Sequence, residues 1–203
     1  MTKLLIFGTG NRHKGVEMAE ILAPAGIVVK TLADFPDVPA VVEDGLSFAQ
    51  NAEKKASQTA RFLNRWVVAE DSGLSVDILG GEPGIYSARY SDPGATDERN
   101  NDLLLRKLGK LPPDKRSARY TCSMALCDPS GAVRFQCEEY CVGRILTERH
   151  GANGFGYDPL FEVVEYHRSF GELAPILKSV ISHRARAVRR LLAALNTLTG
   201  VGE

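Results

Sequence analysis

The apolar residues of this chain fall into short blocks whose spacing changes along the sequence, and those changes predict alternating strands and helices. Leu4 to Phe7 is a continuous apolar run, which predicts a buried strand. Gly8-Thr9-Gly10-Asn11 reads as a turn. A helix is expected from Arg12 to Ala23, with Val16, Ala19, Ile21 and Leu22 among its apolar positions and Pro24 and Gly26 at its end. Ile27 to Leu32 predicts a second strand, and Pro36 and Pro39 mark a loop. Ser47-Phe48-Ala49-Gln50 has the form of a capping box, in which hydroxyl and amide close the free N–H groups of a first helical turn. Phe48, Ala52, Ala56, Ala60 and Leu63 then recur at helical spacing. Trp66 to Ala69 predicts a strand ending at Glu70-Asp71, and Leu74 to Leu79 another.

Thr96 can cap a helix running to Leu108, which Gly109 terminates. Ala118, Tyr120, Cys122, Met124 and Leu126 alternate as a half-buried strand should. Asp128-Pro129-Ser130-Gly131 is a turn, and Val133, Phe135 and Cys137 alternate on the returning strand. The apolar parity then shifts to Tyr140 and Val142, which predicts a bulge near Glu138-Glu139. A last helix is expected from His183 to Leu198, with Val188, Leu191, Leu192 and Leu195 inward. No repeat, low-complexity tract or linker interrupts the pattern, so residues 1–203 read as one α/β domain.

Composition narrows the function classes. The length of 203 residues suffices for a full core, and 44% hydrophobic with 25% charged residues is the balance of a soluble globular protein. A net charge of zero disfavours a nucleic-acid polymer as partner but leaves room for a nucleotide. No apolar run approaches a membrane span, and Met1 to Phe7 lacks the long apolar region of a signal peptide. Cys122, Cys127, Cys137 and Cys141 form no C-x-x-C pair, so they read as small apolar side chains of a reduced cytosolic protein rather than a zinc site.

Candidate chemistry concentrates in a few segments. Two adjacent acids, Glu70 and Asp71, at the end of an apolar run are costly unless a cation or a proton-transfer task holds them there. The glycine-rich stretch from Gly80 to Arg89 ends in a guanidinium suited to an anion. Together these suggest a site for a metal-bound phosphate compound. Gly8-Thr9-Gly10-Asn11-Arg12-His13-Lys14 lies between a strand and a helix, where backbone N–H groups and Lys14 can bind phosphate. It lacks the P-loop pattern, and a plain turn with a surface lysine also fits it. Glu43-Asp44-Gly45 is either a solvated acidic loop or, with Asp71, a source of oxygen ligands for magnesium. Asn51 and Lys55 share one helix face, which by itself reads as solvated. Gly151 to Phe161 carries glycines, aromatics and Asp158 in one loop. That set can stack on a base and accept from its ring N–H, although an anchored surface loop fits as well. Arg186, Arg189 and Arg190 read as a solvated helix face, and no G-x-S-x-G elbow supports a hydrolase triad.

In this order, the segments resemble the inosine/xanthosine triphosphate pyrophosphatases, the house-cleaning nucleotide family. The matching stretches are Thr9-Gly10-Asn11 to Lys14, Glu43 to Phe48 with Asn51-Ala52 and Lys55-Ala56, and Asp71-Ser72-Gly73-Leu74. Gly84 to Arg89, Gly154 to Phe161, Lys178 and Ser182-His183-Arg184 complete a match over nearly the whole chain. The resemblance implies a mixed central sheet flanked by helices, two lobes with an active-site cleft between them, and a cytoplasmic homodimer. It implies magnesium-dependent cleavage of ITP, dITP, XTP and dXTP to monophosphate and pyrophosphate. By the same resemblance Asp71 is the general base and, with Glu43, a metal ligand. Thr9, Asn11, Lys14, Lys55 and Lys178 are phosphate-end contacts with Ser72 beside them, and Gly10, Arg12 and His13 also bind substrate. Phe155 stacks on the base, Gly156 binds substrate beside it, and Tyr157, Asp158, His183 and Arg184 read the base edge or sugar. A non-catalytic nucleotide sensor on the same fold would be expected to lack Asp71 and Glu43, and both are present.

Overall fold

The structure, a computed structural model, describes residues 3–198. Its strands are β1 (Lys3–Phe7), β2 (Ile27–Thr31), β3 (Val67–Val76), β4 (Ser117–Cys127), β5 (Val133–Ile145), β6 (Phe161–Val163) and β7 (Arg168–Ser169). They form one sheet in the order β2-β1-β3-β4-β5-β6-β7. β1 pairs in parallel with β2 and β3, whereas β6 pairs antiparallel with β5 and β7, so the sheet is mixed as expected. The helices are α1 (Arg12–Leu22), α2 (Phe48–Leu63), α3 (Asp97–Leu108), α4 (Pro175–Ile181) and α5 (His183–Leu195). Among the described residues no helix is long and apolar enough to cross a membrane.

The chain divides into two compact units, each assembled from separated segments. The first comprises Met1–Asp71, Cys122–Glu139 and Arg184–Glu203; the second comprises Ser72–Thr121 and Tyr140–His183. In the first unit the period-two alternation of strands sorts side chains into two cores. Leu5, Phe7, Val68 and Met124 pack with Met18 and Leu22 of α1 and Val188 and Leu191 of α5. Ile6, Val67, Ala69 and Ala125 pack with Ala52, Ala56 and Ala60 of α2, whose small side chains bring that helix close to the sheet. In the second unit Leu74, Val76, Tyr120, Phe161 and Phe170 pack with Leu104 and Leu108 of α3. All four cysteines are free and buried. Burial lifts the Cys127 and Cys137 thiols to about 11, which keeps them inert, as the apolar reading of these residues expects.

Three expectations are corrected. β3 does not stop at the acids; it runs unbroken to Val76, and residues Asp77–Leu79 form a 3₁₀ turn rather than more strand. Charges can sit inside this strand because cationic side chains of the same unit meet them, as described below. β5 shows no parity shift: Cys137, Cys141 and Ile145 stay inward, while Tyr140 and Val142 are 39% and 69% exposed. The interruption read from sequence is Glu139, whose carboxylate pairs with Arg190 of α5 at 3.0 Å. The cap of α2 is also offset: Ser47 accepts from the Gln50 N–H, but the Gln50 amide oxygen accepts from Leu46 rather than Ser47.

Candidate active site

In the first unit the sequence folds two carboxylates around one ammonium group. α2 is amphipathic and buries its alanine face, which turns Asn51 and Lys55, spaced one helical turn apart, toward β3. Lys55 Nζ lies 2.6 Å from Glu43 Oε2 and 3.6 Å from Asp71 Oδ1. Asn51 is buried; its Nδ2 donates to Asp71 Oδ2 at 2.9 Å and its Oδ1 accepts from the Gly45 N–H at 2.8 Å. One amide thereby ties the loop after Glu43 to the strand that carries Asp71. A Cβ at Gly45 would stand 2.6 Å from that Asn51 oxygen, so the acidic loop needs glycine there. The solvated-face reading of Asn51 and Lys55 is therefore corrected: both point into the site.

This donor set suits a hard divalent cation. Two carboxylates already face a shared positive charge, and oxygen is the ligand type magnesium prefers. Among the described residues no group of three His, Cys, Asp or Glu side chains comes together to hold a metal alone. Magnesium characteristically takes one or two carboxylates and completes its shell with phosphate and water, so two suffice.

The other acid of the doublet faces away. Successive residues of a strand point to opposite faces, so Glu70 shares the Val68 side with α1 and α5, while Asp71 shares the Ala69 side with α2. Arg184 grips Glu70 with two hydrogen bonds, from Nε at 2.8 Å and Nη2 at 2.7 Å, and its Nη1 reaches Glu17 of α1. Lys14 Nζ lies 3.2 Å from Glu70 Oε1. Burial alone would raise the Glu70 carboxyl, but the charges of Arg184 and Lys14 outweigh it and hold it well below the usual glutamate range. Burial and the Glu70 carboxylate push the Cys122 thiol up, so it donates to Glu70 Oε2 at 3.1 Å.

Lys14 belongs to the turn between β1 and α1. Asn11 caps that helix by accepting the Lys14 N–H at 3.2 Å, and its own N–H donates to Thr9 Oγ1 at 3.1 Å. Gly10, Asn11, Arg12 and His13 are exposed and Thr9 is half-buried. The turn thus opens to solvent with Lys14 fixed at its base by Glu70.

In the second unit the loop from Gly151 to Pro159 closes around Asp158. Its Oδ2 accepts the Phe155 N–H at 3.0 Å and pairs with Lys178 of α4, and its Oδ1 accepts the Tyr120 hydroxyl at 3.3 Å. Lys178 Nζ sits 4.7 Å from the Phe155 ring centroid, a cation–π contact. Gly156 is clasped by α3: its N–H donates to Asp97 at 2.7 Å and its carbonyl accepts from Asn101 at 2.9 Å. His183 stacks on Tyr120. A Cβ at Gly154 would fall 1.9 Å from Asp158 Oδ2, and its φ is +78°. Gly154→Ala is accordingly expected to displace the Asp158 carboxylate and cost about 1–3 kcal/mol of stability. A urea-melt midpoint equal to that of the parent would show that the loop absorbs the methyl group.

The predicted site residues thus fall into two groups. Thr9 to Lys14, Glu43, Lys55, Asp71 and Arg184 belong to the first unit, and Ser72, Phe155 to Asp158, Lys178 and His183 to the second. Several are used differently from the sequence expectation. Arg184 is 1% exposed, with Nε, Nη1 and Nη2 all on carboxylates, rather than turned to a base edge. Tyr157 is a core residue whose hydroxyl donates to the Ser87 carbonyl at 2.8 Å. Lys178 is held by Asp158 beside the Phe155 ring. Glu70 was missed as a site residue, although an acid one position before Asp71 in an apolar strand must face the opposite side.

Against known proteins, the pattern of the Ham1 family matches residues 5–194 of this chain. A dITP/XTP pyrophosphatase of Rhodopirellula baltica is 50% identical over 191 residues, spanning 94% of this chain and 92% of that relative. One of Desulforamulus reducens is 44% identical over 194 residues, spanning 96% of each. The solved structure of a HAM1 protein from Coxiella burnetii aligns with a TM-score of 0.86 at 34% identity, covering 97% of this chain and 100% of that one.

Proposed function

Because this chain belongs to the Ham1 family, we propose that it hydrolyses the non-standard purine nucleoside triphosphates ITP, dITP, XTP and dXTP to the monophosphate and pyrophosphate. The observation that carries the reading is the convergence of Glu43 and Asp71 on Lys55, with Asn51 fixing Asp71. That set provides what cleavage of an anionic phosphoanhydride needs: a proton acceptor, positive charge and carboxylates for a divalent cation.

In this reading Lys14 and Lys55 draw the triphosphate oxygens and lower the repulsion that an incoming oxygen nucleophile would meet. Magnesium held by Glu43 and Asp71 would supply further positive charge to those oxygens. Water attacks the α phosphorus; the new P–O bond forms as the bond to the bridging α–β oxygen breaks, and pyrophosphate leaves. Asp71 accepts the water proton, and the Asn51 amide keeps its carboxylate aimed. Phe155 stacks on the base, with Asp158 and His183 at its edge. Glu70 holds Lys14 in place, and Arg184 supplies the buried countercharge. In this reading the enzyme is a cytoplasmic homodimer. Four buried free cysteines suit a reducing compartment, and sedimentation equilibrium tests the dimer.

With magnesium, ITP is expected to yield IMP and pyrophosphate. Chromatography of the products decides it: IDP with orthophosphate would overturn the assigned bond cleavage.

A further inference from the structure

Tyr120, one of the alternating apolar positions of β4, touches both His183 and Asp158. Its ring lies parallel to the His183 imidazole, with centroids 4.7 Å apart and planes 8° from coplanar. Its hydroxyl donates to Asp158 Oδ1 at 3.3 Å. The ring also packs against Phe161, at 4.7 Å between centroids, and Phe170 at 6.2 Å, both tilted. It is 7% exposed and sits on β4, a strand rather than a loop.

We propose that Tyr120 is a positioning residue for base discrimination, orienting Asp158 and His183 together. The inference rests on the reading of those two residues as base contacts. A 6-oxopurine presents an N1–H donor beside an oxygen acceptor, whereas a 6-aminopurine presents an acceptor beside a donor. Telling them apart requires an acceptor and a donor held at fixed angles, since hydrogen bonds weaken steeply off axis. Asp158 Oδ2 meets the Phe155 N–H and Lys178, while Oδ1 takes the Tyr120 hydroxyl. A carboxylate oxygen can accept two bonds, so the Tyr120 hydroxyl fixes its direction without saturating it. The stack fixes the imidazole plane in the same way. A tyrosine suits both tasks because its ring has only two rotatable bonds, and here the aromatic neighbours remove that freedom.

The test is the ratio of kcat/KM for ITP to that for ATP in the parent, Tyr120→Phe, Tyr120→Leu and His183→Ala proteins. Tyr120→Phe keeps the stack and loses the hydroxyl, so its ratio should fall about two- to threefold. Tyr120→Leu loses both, and its ratio should fall about tenfold, through KM for ITP rather than kcat. A residue that merely filled space would slow both nucleotides alike and leave the ratio unchanged. If His183→Ala lowers the ratio while Tyr120→Leu keeps it, the positioning role is overturned. Should the leucine variant fail to fold, a parental ratio in Tyr120→Phe overturns it instead. A parental ratio in His183→Ala would overturn the reading of His183 as a base contact, and the inference with it.

Discussion

Replacing Asp71 by asparagine is expected to lower kcat for ITP by about 100- to 10,000-fold while leaving nucleotide affinity close to that of the parent. The substitution is nearly isosteric, and its oxygen can still accept from Asn51 Nδ2, so the local geometry is retained. What disappears is a basic oxygen able to take the proton of the attacking water. One carboxylate beside Lys55 also disappears, which leaves Glu43 as the remaining acid on that ammonium. Pyrophosphate release under single-turnover conditions gives the rate, and equilibrium binding of ITP gives the affinity. A near-parental rate would remove Asp71 from the proton-accepting role; a lost rate with equally lost affinity would make it a binding residue only.

The second large effect concerns stability rather than rate. Glu70→Gln is expected to cost about 3–5 kcal/mol of unfolding free energy, the range for removing one partner of a buried ion pair. The Arg184 guanidinium is left buried without the Glu70 carboxylate that two of its nitrogens meet, and Lys14 loses its ion pair. The same pair sets a pH dependence. Because the folded-state value of Glu70 lies well below its ordinary value near ~4.3, its contribution is fully present above that ordinary value. It is lost as pH falls through the folded value. Urea melts of the parent should therefore lose stability on acidification below the ordinary glutamate value, and the Glu70→Gln protein should show less of that slope. Identical midpoints at neutral pH would mean that the cluster contributes nothing to the fold. In a double-mutant cycle, adding Arg184→Met to Glu70→Gln should cost less than the two changes separately, because the uncompensated charge is gone.

Much of the architecture could be read from periodicity, since both strand and helix bury one face against a core. The alanine face of α2 and the alternation of β4 are such cases. Periodicity misled where a polar side chain occupies an inward position with a partner far away in sequence. Glu139 broke the apparent parity of β5 only because Arg190, which pairs with it, could not be seen. Asp71 and Glu70 suggested the end of a strand because their cations come from residues 14, 55 and 184. The identities of the chemical residues were visible as motifs, but which partner each would take was not. Arg184 follows His183 directly, yet one grips a buried carboxylate while the other stacks on an aromatic ring. Local sequence carries no information on such pairings beyond the turn of the helix.

The distance along the chain between Glu70 and its arginine bears on how the protein is made. The two residues are 114 positions apart. At ribosomal speeds of about 5–20 residues per second, the carboxylate is synthesised roughly 6 to 23 s before its guanidinium exists. During that interval β3 can pair with β1, but closing the face that covers Glu70 would strand a charge without its main counter-ion. The first unit can therefore reach its final packing only after α5 has emerged, whatever its earlier strands have done. Until then the face of β3 that bears Glu70 lacks Val188 and Leu191, the α5 side chains that cover it.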